Sequence, residues 1–512
     1  MERKWWTLIA VCVATFMLLL DITIVNVALP SIQKDLNASL SSLQWVVDAY
    51  ALTLASFLLV FGSLGDRLGR RRIFAIGFGV FTLASLLCGL SNDPTVLNLF
   101  RGLQGVGGAA MFATSLALIA QEFEGRERAT AIGIWGATVG GAVAVGPLIG
   151  GAITDGLGWE WIFFVNVPIG VGAIFLTETR LVNVAASDPE PIDLPGLVAF
   201  SVALFGLVFG LIRGNPEGWS SAQIVASLSA AVVLMIAFIA IELRRGDAAM
   251  LDLKLFRVPA FGGVSIVAWA LSAGMFAMFL YITLYVQDVL GYSPLQAGLR
   301  FLPVTLLSFF VAPISGQLLK RLPARVLLGG GLVVVGVGLA LMHGIQHGIQ
   351  VGDSWTELLP GFLVAGVGIG MVNPAIASTA LGVVPPARAG MASGINSTFR
   401  QIGIATGVAA LGAVFQSRIS SELASSLPKA PPQFADAVSS GATHQAVAAA
   451  PPQFQGQALS AANQAFITAF NEILLIGAAV AIVGGLLGLL MVRQSDFVPA
   501  AAGEPAGEPA AA

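Results

Sequence analysis

Four charged residues interrupt segments of the chain that are otherwise almost entirely apolar: Asp21, Asp48, Arg101 and Arg400. Apolar segments of this length are typical of helices that cross a membrane. At 1.5 Å per residue, Asp21 lies about 13 Å along its helix from Pro30, and Arg101 lies about 9 Å from the end of its own helix. The two side chains are therefore predicted at similar depths.

A carboxylate at that depth costs roughly 2.5 to 3.5 kcal/mol if it faces lipid, so Asp21 needs a cavity or a partner. We hypothesise that Asp21 binds and releases a proton, and that Arg101 favours the ionised carboxylate whenever the two side chains approach. A static structural pair is the alternative. Asp48, in the sequence WVVDAY, lies just inside the end of the second apolar segment. It either assists proton uptake or contacts a cationic ligand, or it is a solvated helix end.

Arg400 lies about 15 Å into its segment, close to the middle of a bilayer. A guanidinium there needs a partner, which is either an acidic side chain or an anionic group on a bound molecule. Together with Asn26 and Asn396, Arg400 forms the predicted lining of a central cavity. His343 and His347 are four residues apart, but no third ligand lies nearby in the sequence, so no metal site is predicted.

Glycine recurs where helices must approach closely. In the sequence GSLGDRLGRR, Gly62, Gly65 and Gly69 predict a tight turn, because glycine has no side chain to hinder a chain reversal or a close helix contact. The charged residues of the same stretch predict a cluster at a seam between helix bundles; they are Asp66, Arg67, Arg70 and Arg71.

A second glycine-rich stretch, GAVAVGPLIGG, contains Gly146, Pro147, Gly150 and Gly151. Small residues four positions apart permit close packing and sliding against a neighbouring helix, and Pro147 removes a backbone donor and can kink its own helix. We interpret the stretch as a hinge that also prevents leakage. Packing alone is the alternative interpretation.

The composition identifies the elements that must position these residues. Hydrophobic residues make up 56% of the 512 residues and charged residues 10%, and the mean hydropathy is +0.86. These values predict a polytopic membrane protein, and helices are expected because an open sheet edge in hydrocarbon leaves backbone groups unpaired. The fourteen segments that are long and apolar enough to span a bilayer are Trp6–Pro30, Trp45–Gly65, Ile73–Leu90, Val96–Ala120, Ala129–Ile153, Trp161–Glu178, Leu194–Ile212, Ile224–Leu243, Ala260–Leu284, Ala297–Leu319, Arg325–Met342, Leu358–Val384, Gly390–Phe415 and Phe466–Val492.

An internal repeat predicts how the segments are grouped. The sequence GSLGDRLGRR at Gly62–Arg71 has a weaker copy, GQLLKRLPAR, at Gly316–Arg325, and the same offset pairs Leu36 with Leu290 and Ser39 with Ser293. A repeat of this length indicates two homologous helical bundles with function at the seam between them. The predicted fold is an all-α integral membrane protein of two six-helix bundles plus two additional transmembrane helices.

The predicted division of the chain follows from the spans and the repeat. The expected parts are a first six-helix bundle at residues 1–180, two extra spans with linkers at 181–258, five helices of the second bundle at 259–415, an external loop at 416–464, a last span at 465–494 and a disordered cytoplasmic tail at 495–512.

The distribution of basic residues predicts the orientation. With both termini in the cytoplasm, 18 of the 25 Lys and Arg residues fall on the cytoplasmic side and five outside, and Arg101 and Arg400 remain within the membrane. Nothing in this distribution indicates a nucleic-acid partner. The expected partners are the lipid bilayer, protons and a small molecule.

Four sequence blocks together resemble the major facilitator superfamily: LDITIVNVALP, GSLGDRLGRRR, RGLQGVGGAA and GAVAVGPLIGG. With fourteen spans, the chain is similar to the drug:proton antiporter branch of that superfamily. The resemblance implies that Gly146, Pro147, Gly150 and Gly151 belong to the block associated with antiport. It also implies that the loop around Asp66 latches the two bundles in one state; alternatively, its arginines only set the orientation.

The resemblance implies a multidrug exporter in a bacterial cell membrane that exchanges protons for amphipathic molecules and confers antibiotic resistance. No ATP-binding loop of the GxxxxGK[ST] kind occurs in the sequence, so a proton gradient is the expected energy source and no cofactor is predicted. No catalytic constellation can be assembled from these spans, so an enzyme is not expected. Export of an endogenous lipid or metabolite and a membrane sensor that binds ligand without moving it are the alternatives.

Overall fold

The computed structural model describes residues 2–123, 125–182, 193–246, 249, 251–319, 321–343, 348–384, 389–428 and 430–497. These residues form helices and short connections and contain no strand, which confirms the predicted all-helical class. The helices of the first bundle are α1 (Arg3–Leu36), α2 (Leu40–Leu68), α3 (Arg70–Gly89), α4 (Pro94–Glu122), α5 (Gly125–Leu157), and the short α6 (Trp161–Phe164) with α7 (Asn166–Arg180), which together form one span.

Two further helices precede the second bundle, and the second bundle contains three π-helical turns. The remaining helices are α8 (Leu194–Glu217), α9 (Ala222–Arg245), α10 (Pro259–Leu271), α11 (Met278–Leu284), α12 (Pro294–Leu318), α13 (Gly331–Met342), α14 (Leu359–Gly382), α15 (Ala389–Ser426), α16 (Pro432–Ser440), α17 (Thr443–Ala448) and α18 (Pro452–Met491). The π-helical turns are Ser272–Phe276 and Tyr285–Val289, which flank α11, and Val326–Gly330, which precedes α13.

The internal repeat is visible in the helix caps. Ser39 caps α2 by accepting a hydrogen bond from the amide of Ser42, and its counterpart Ser293 caps α12 by accepting one from the amide of Gln296. A capping serine satisfies amide groups that the first turn of a helix leaves without partners. The offset that relates the two sequence halves therefore relates equivalent helix boundaries.

Twelve helical segments in the described part of the chain are long and apolar enough to cross a membrane. The shorter apolar segment Val326–Met342 matches another predicted span, and α2 contains the predicted span Trp45–Gly65. The count of fourteen spans remains a prediction.

The two extra helices form a hairpin beside the seam between the bundles. α8 packs against α2 of the first bundle and α15 of the second, whereas α9 packs mainly on α8. Trp45 of α2 contacts Phe205 of α8, with 5.5 Å between ring centroids, and the Asn215 side-chain amide donates to the Ala413 carbonyl at 2.5 Å. The hairpin therefore contacts both bundles.

The region predicted as an external loop contains much helix. α15 continues to Ser426, and α18 begins at Pro452, with the short helices α16 and α17 between them. The hydroxyl group of Thr443 donates a hydrogen bond of 2.7 Å to the buried carboxylate of Asp288. This bond attaches the connection to the end of the second bundle. The predicted disordered tail lies almost entirely outside the described residues, which end at 497.

Candidate functional site

Asp21 of α1 and Arg101 of α4 are in direct contact inside the first bundle. One guanidinium nitrogen of Arg101 lies 2.6 Å from the Asp21 carboxylate, and the side chains are 2% and 1% exposed, respectively. The Nε atom of Arg101 also donates to the Val46 carbonyl at 2.9 Å. A buried pair is stable only when most of its hydrogen-bonding groups find partners, and these contacts provide several of them.

Other polar side chains complete the surroundings of this pair. Gln104 donates to the other Asp21 oxygen at 2.9 Å and accepts from Arg101 at 2.6 Å. Asn166 of α7 lies at 3.5 Å from the same Asp21 oxygen and donates to Ser85 of α3 at 3.1 Å. Together with the Val46 carbonyl of α2, these contacts place the pair in a network that draws on five helices of one bundle: α1, α2, α3, α4 and α7.

The aromatic ring of Tyr50 covers the Arg101 guanidinium at 4.4 Å, which adds a cation–π contact within a desolvated site. Four of the residues around the pair were not predicted from the sequence: Tyr50, Gln104, Asn166 and Ser85. A contact of Gln104 with Arg101 could have been predicted from the sequence, because the two are three residues apart and therefore on the same helix face. The other residues come from separate helices, and only the tertiary packing brings them together.

Asp48 has a different environment from that of Asp21. It is fully buried in α2, and neither carboxyl oxygen has a hydrogen-bond partner among the described residues. It is therefore not a solvated helix end in this conformation. One helical turn away, Gln44 donates to the Val408 carbonyl of the second bundle at 3.0 Å, so Asp48 lies beside a closed part of the seam.

We call the end of the bundles with the α1–α2 turn the outer end and the end with the α2–α3 turn the inner end, following the predicted orientation. At the outer end, hydrogen bonds cross between the bundles. Gln287 donates to the Val27 carbonyl at 2.8 Å, and Ser293 donates to the carboxylate of Asp155 at 3.1 Å. The outer end of the seam is closed.

The glycine-rich stretch of α5 has two packing faces. A side chain at Gly150 would lie 2.9 Å from the Cα atom of Ile24, within the same bundle, and one at Gly146 would meet Thr23 of the same helix α1. A side chain at Gly151 would instead clash with the carbonyl oxygen of Pro294, across the seam. One face therefore packs α5 within its bundle, and the other packs it against the second bundle.

Pro147 belongs to the face that crosses the seam. Its carbonyl oxygen would clash with a side chain at Gly298 of α12, so this contact also requires a glycine. Pro147 lies inside α5, which continues on both sides of it. The hinge function of this stretch stays a prediction.

The seam opens toward the inner end. A side chain at Gly140 would lie 3.4 Å from the ring of Phe309, which is ordinary contact. Nearer the inner end, side chains at Gly136 and Gly133 of α5 and at Gly316 of α12 would meet no described atom within 4 Å. The helices α5 and α12 thus touch at the outer end and separate toward the inner end.

The predicted gating stretch does not form the turn that was expected. Gly62 and Gly65 lie within α2, which continues to Leu68, so the prediction of a turn was wrong for these two glycines. Only Gly69 adopts a positive φ of 97°, which glycine tolerates without steric cost, and the chain reverses there. Asp66 lies in α2, but its side chain lies outside the described part of the structure.

The arginines of this stretch contact the first bundle. Arg70 donates to the Ala117 carbonyl of α4 at 3.1 Å, and Arg71 forms an ion pair with Glu178 of α7. Arg67 is exposed. The gating role of the stretch stays a prediction, since the inner end is open in this conformation.

A small cavity of about 30 Å³ lies between the bundles. Its lining is apolar and aromatic with a few hydroxyl and amide groups: Ile22, Thr23, Asn26, Val27, Val47, Val143, Pro147, Phe276, Phe279, Thr283, Phe301, Thr305 and Ile404. Asn26 is thus placed at the cavity, whereas Asn396 and Arg400 are not part of this lining. Arg400 lies one turn and Asn396 two turns from Ile404 on the same helix, toward the inner end.

No metal site is found in the described part of the chain, where no group of three His, Cys, Asp or Glu side chains has a suitable arrangement. His347 lies outside the described residues.

Two homologous helical bundles that meet along a seam, closed at one end and open at the other, define a membrane transporter with a site at the bundle interface. Comparison with known families agrees with this class. The chain belongs to the Major Facilitator Superfamily, whose family model matches residues 11–408.

Several proteins similar to this chain are resistance or export proteins. Multidrug resistance protein Stp of Mycobacterium tuberculosis is 38% identical over 427 residues, which cover 83% of this chain and 78% of Stp. The tetracenomycin C resistance and export protein of Streptomyces glaucescens is 33% identical over 506 residues, covering 95% of this chain and 91% of that protein. The puromycin resistance protein pur8 of Streptomyces alboniger is 37% identical over 415 residues, covering 80% and 82%.

A solved structure shares the fold at low sequence identity. The inward-facing, occupied structure of a bacterial homologue of the human lysosomal transporter Spinster superposes with a TM-score of 0.65. It is 16% identical and covers 98% of this chain and 100% of that chain. This similarity supports the fold alone.

Proposed function

We propose that this protein is a proton-coupled secondary exporter that moves amphipathic small molecules or drugs across the bacterial cytoplasmic membrane. It works by alternating access, has both termini in the cytoplasm, and takes its energy from the proton gradient without a cofactor. The observation that carries the proposal is the buried contact between Asp21 and Arg101, in a chain whose relatives are named for drug resistance and export.

The geometry suggests how a proton is coupled to the conformational cycle. In the conformation with the inner end open, Arg101 and Gln104 both bond to the Asp21 carboxylate and stabilise its ionised form. Opening of the outer end lets a proton from the outside bind to one carboxylate oxygen, which weakens the contact with Arg101. When the inner end opens again, Arg101 pairs with the carboxylate once more and the proton leaves toward the cytoplasm.

Two other regions have supporting roles in this proposal. Asp48 is buried at the closed outer part of the seam, and separation of the bundles exposes its carboxyl group to the outside. It is a second proton-binding group. The stretch Gly62–Arg71 closes the inner end in the opposite conformation, with Asp66 as the gating residue. The glycine-rich stretch of α5 seals the outer end, where Gly151 and Pro147 contact α12.

Proteoliposomes with an imposed pH gradient test the proposal. The wild-type protein is expected to accumulate a fluorescent drug against its gradient, and a protonophore is expected to abolish this accumulation. Asp21→Asn removes the proton-binding carboxylate and is expected to abolish uphill transport while leaving downhill exchange measurable. Asp35→Asn is the matched control, since Asp35 lies on the same helix but is exposed.

Uphill transport by Asp21→Asn at the wild-type rate would contradict the assignment of the proton carrier. Saturable drug binding without any flux in the wild-type protein would favour a sensor instead.

A further inference from the structure

Arg400 lies in the first third of α15, with no counterion among the described residues. It makes no hydrogen bond or ion pair with any described residue, although its side chain is only partly exposed. A guanidinium carries five N–H donors and stays charged at all physiological pH values. An unpaired charge at membrane depth is costly, so a partner must come from water or from a bound molecule.

No acidic side chain among the described residues is bonded to Arg400. α15 runs antiparallel to α2, with Val408 beside Gln44, which places Arg400 at the level of Leu52. Asp48 is the acidic residue of α2 closest to that level, one helical turn toward the outer end, and its carboxyl oxygens have no hydrogen-bond partner among the described residues. The cavity lining one helical turn from Arg400 contains no acidic side chain. Asp21 of the first bundle is bonded to Arg101.

A second hydrogen-bond donor lies beside Arg400. Asn396 lies one turn from Arg400 on the same helix face and is 6% exposed, and its side-chain nitrogen has no partner among the described residues. A guanidinium and an amide donor on one face form a set that suits an oxyanion such as a carboxylate, sulfonate or phenolate. The positive charge of Arg400 would repel a cationic molecule.

Apolar and aromatic groups also lie beside this donor set. Ile404 continues the same face to the central cavity, where Phe276, Phe279 and Phe301 contribute aromatic rings. That cavity is only about 30 Å³ in this conformation and must widen to admit an aromatic body. Between α5 and α12 the inner end of the seam is open, because side chains at Gly136 and Gly316 would meet no described atom within 4 Å. We therefore expect a molecule to approach Arg400 from the inner side.

We propose that Arg400, assisted by Asn396, binds the anionic group of an amphipathic aromatic substrate, so that the exported molecules include organic anions. This inference rests on the proposed export function for its biological meaning. The anion site itself is a binding property, and it can be measured without any gradient or transport.

Two probes with the same aromatic body separate charge recognition from apolar binding. 1-Anilinonaphthalene-8-sulfonate carries a sulfonate, and N-phenyl-1-naphthylamine is its uncharged counterpart. Binding of each is measured by fluorescence on purified protein in lipid nanodiscs. Arg400→Gln is expected to weaken sulfonate-probe binding about tenfold, the effect of losing a charge-assisted hydrogen bond, and to leave the neutral probe within about twofold.

The control is Arg300→Gln, which removes a positive charge from an arginine stacked on Tyr292 at the outer end. It is expected to leave the affinity for both probes unchanged. Arg400→Lys retains the charge but loses the planar fork and is expected to recover part of the affinity for the sulfonate. If Arg400→Gln does not fold, the ratio of the two affinities in Arg400→Lys decides: a lower sulfonate preference supports the site, and an unchanged ratio overturns it.

Equal weakening of both probes in Arg400→Gln would mean a structural role and would overturn the proposal. So would unchanged sulfonate binding, or a wild-type protein without saturable sulfonate binding. Failure of proton-driven transport in proteoliposomes, with the probe difference intact, would overturn the export function but not the anion site.

Discussion

The two arginines within the membrane have opposite surroundings. Arg101 in the first bundle contacts a carboxylate, an amide oxygen, a backbone carbonyl and the face of a tyrosine ring. Arg400 in the second bundle has no bonded partner among the described residues. The first bundle thus holds a complete buried network, and the second offers an unpaired charge beside a cavity. In the function and the anion site proposed above, proton binding belongs to the first bundle and substrate binding to the second.

The first prediction compares the two arginines by how much their replacement lowers the stability of the folded protein. Arg101→Ala leaves the Asp21 carboxylate buried without its counterion, and breaking a buried pair in this way costs about 3–5 kcal/mol. Arg400→Ala removes a charge with no bonded partner, so it is expected to cost far less or to stabilise the protein. Thermal unfolding in nanodiscs measures both. Equal destabilisation by the two substitutions would mean that Arg400 has a structural partner.

Much of the arrangement around Arg101 was predictable from the sequence. The fixed rise of a helix places Asp21 and Arg101 at similar depths, and their contact requires only that α1 and α4 be neighbours. The contribution of Asn166 was not predictable, because it depends on how α7 packs. That Arg400 has no partner among the described residues also needed the structure, since the sequence left both a protein partner and a ligand open.

The fold was predictable for a similar reason. Apolar segments of bilayer length and a repeat give the helices and their grouping, whereas local breaks depend on packing. The expected turn at Gly62 and Gly65 failed because isolated glycines are tolerated inside a helix whose neighbours hold it in place. The π-helical turns beside α11 gave no sequence signal.

The second prediction tests the contact of α5 across the outer seam. Gly151→Val places side-chain atoms against the Pro294 carbonyl and is expected to prevent closure of the outer end and to abolish transport. Gly172→Val is the matched control in the same bundle. Gly172 of α7 is exposed, a side chain there would meet no described atom within 4 Å, and α7 packs on α1 and α3, so near-normal activity is expected.

Spin labels on Asp155→Cys and Ser293→Cys, in protein with Cys12 and Cys88 replaced by alanine, report the distance across the outer seam. Gly151→Val is expected to lengthen it relative to Gly172→Val. An unchanged distance would contradict the assignment of Gly151 to the outer seal.

The third and smallest effect concerns Asp48, whose carboxyl oxygens lack partners among the described residues. Asp48→Asn keeps the volume and loses no bond, so it is expected to change stability by less than about 0.5 kcal/mol or to stabilise the closed outer end slightly. Thermal unfolding at neutral pH, beside Asp21→Asn, provides the measurement. A loss as large as that of Asp21→Asn would show that Asp48 has a bonded partner.

Infrared difference spectroscopy of the Asp21 carboxyl group tests the central claim most directly. Spectra are compared between the wild-type protein and the Gly151→Val variant, which favours an open outer end, with Asp21→Asn to assign the band. The account predicts a protonated carboxyl group when the outer end is open and a carboxylate when Arg101 is paired with it. A carboxylate in both conformations at every accessible pH would contradict proton exchange at Asp21.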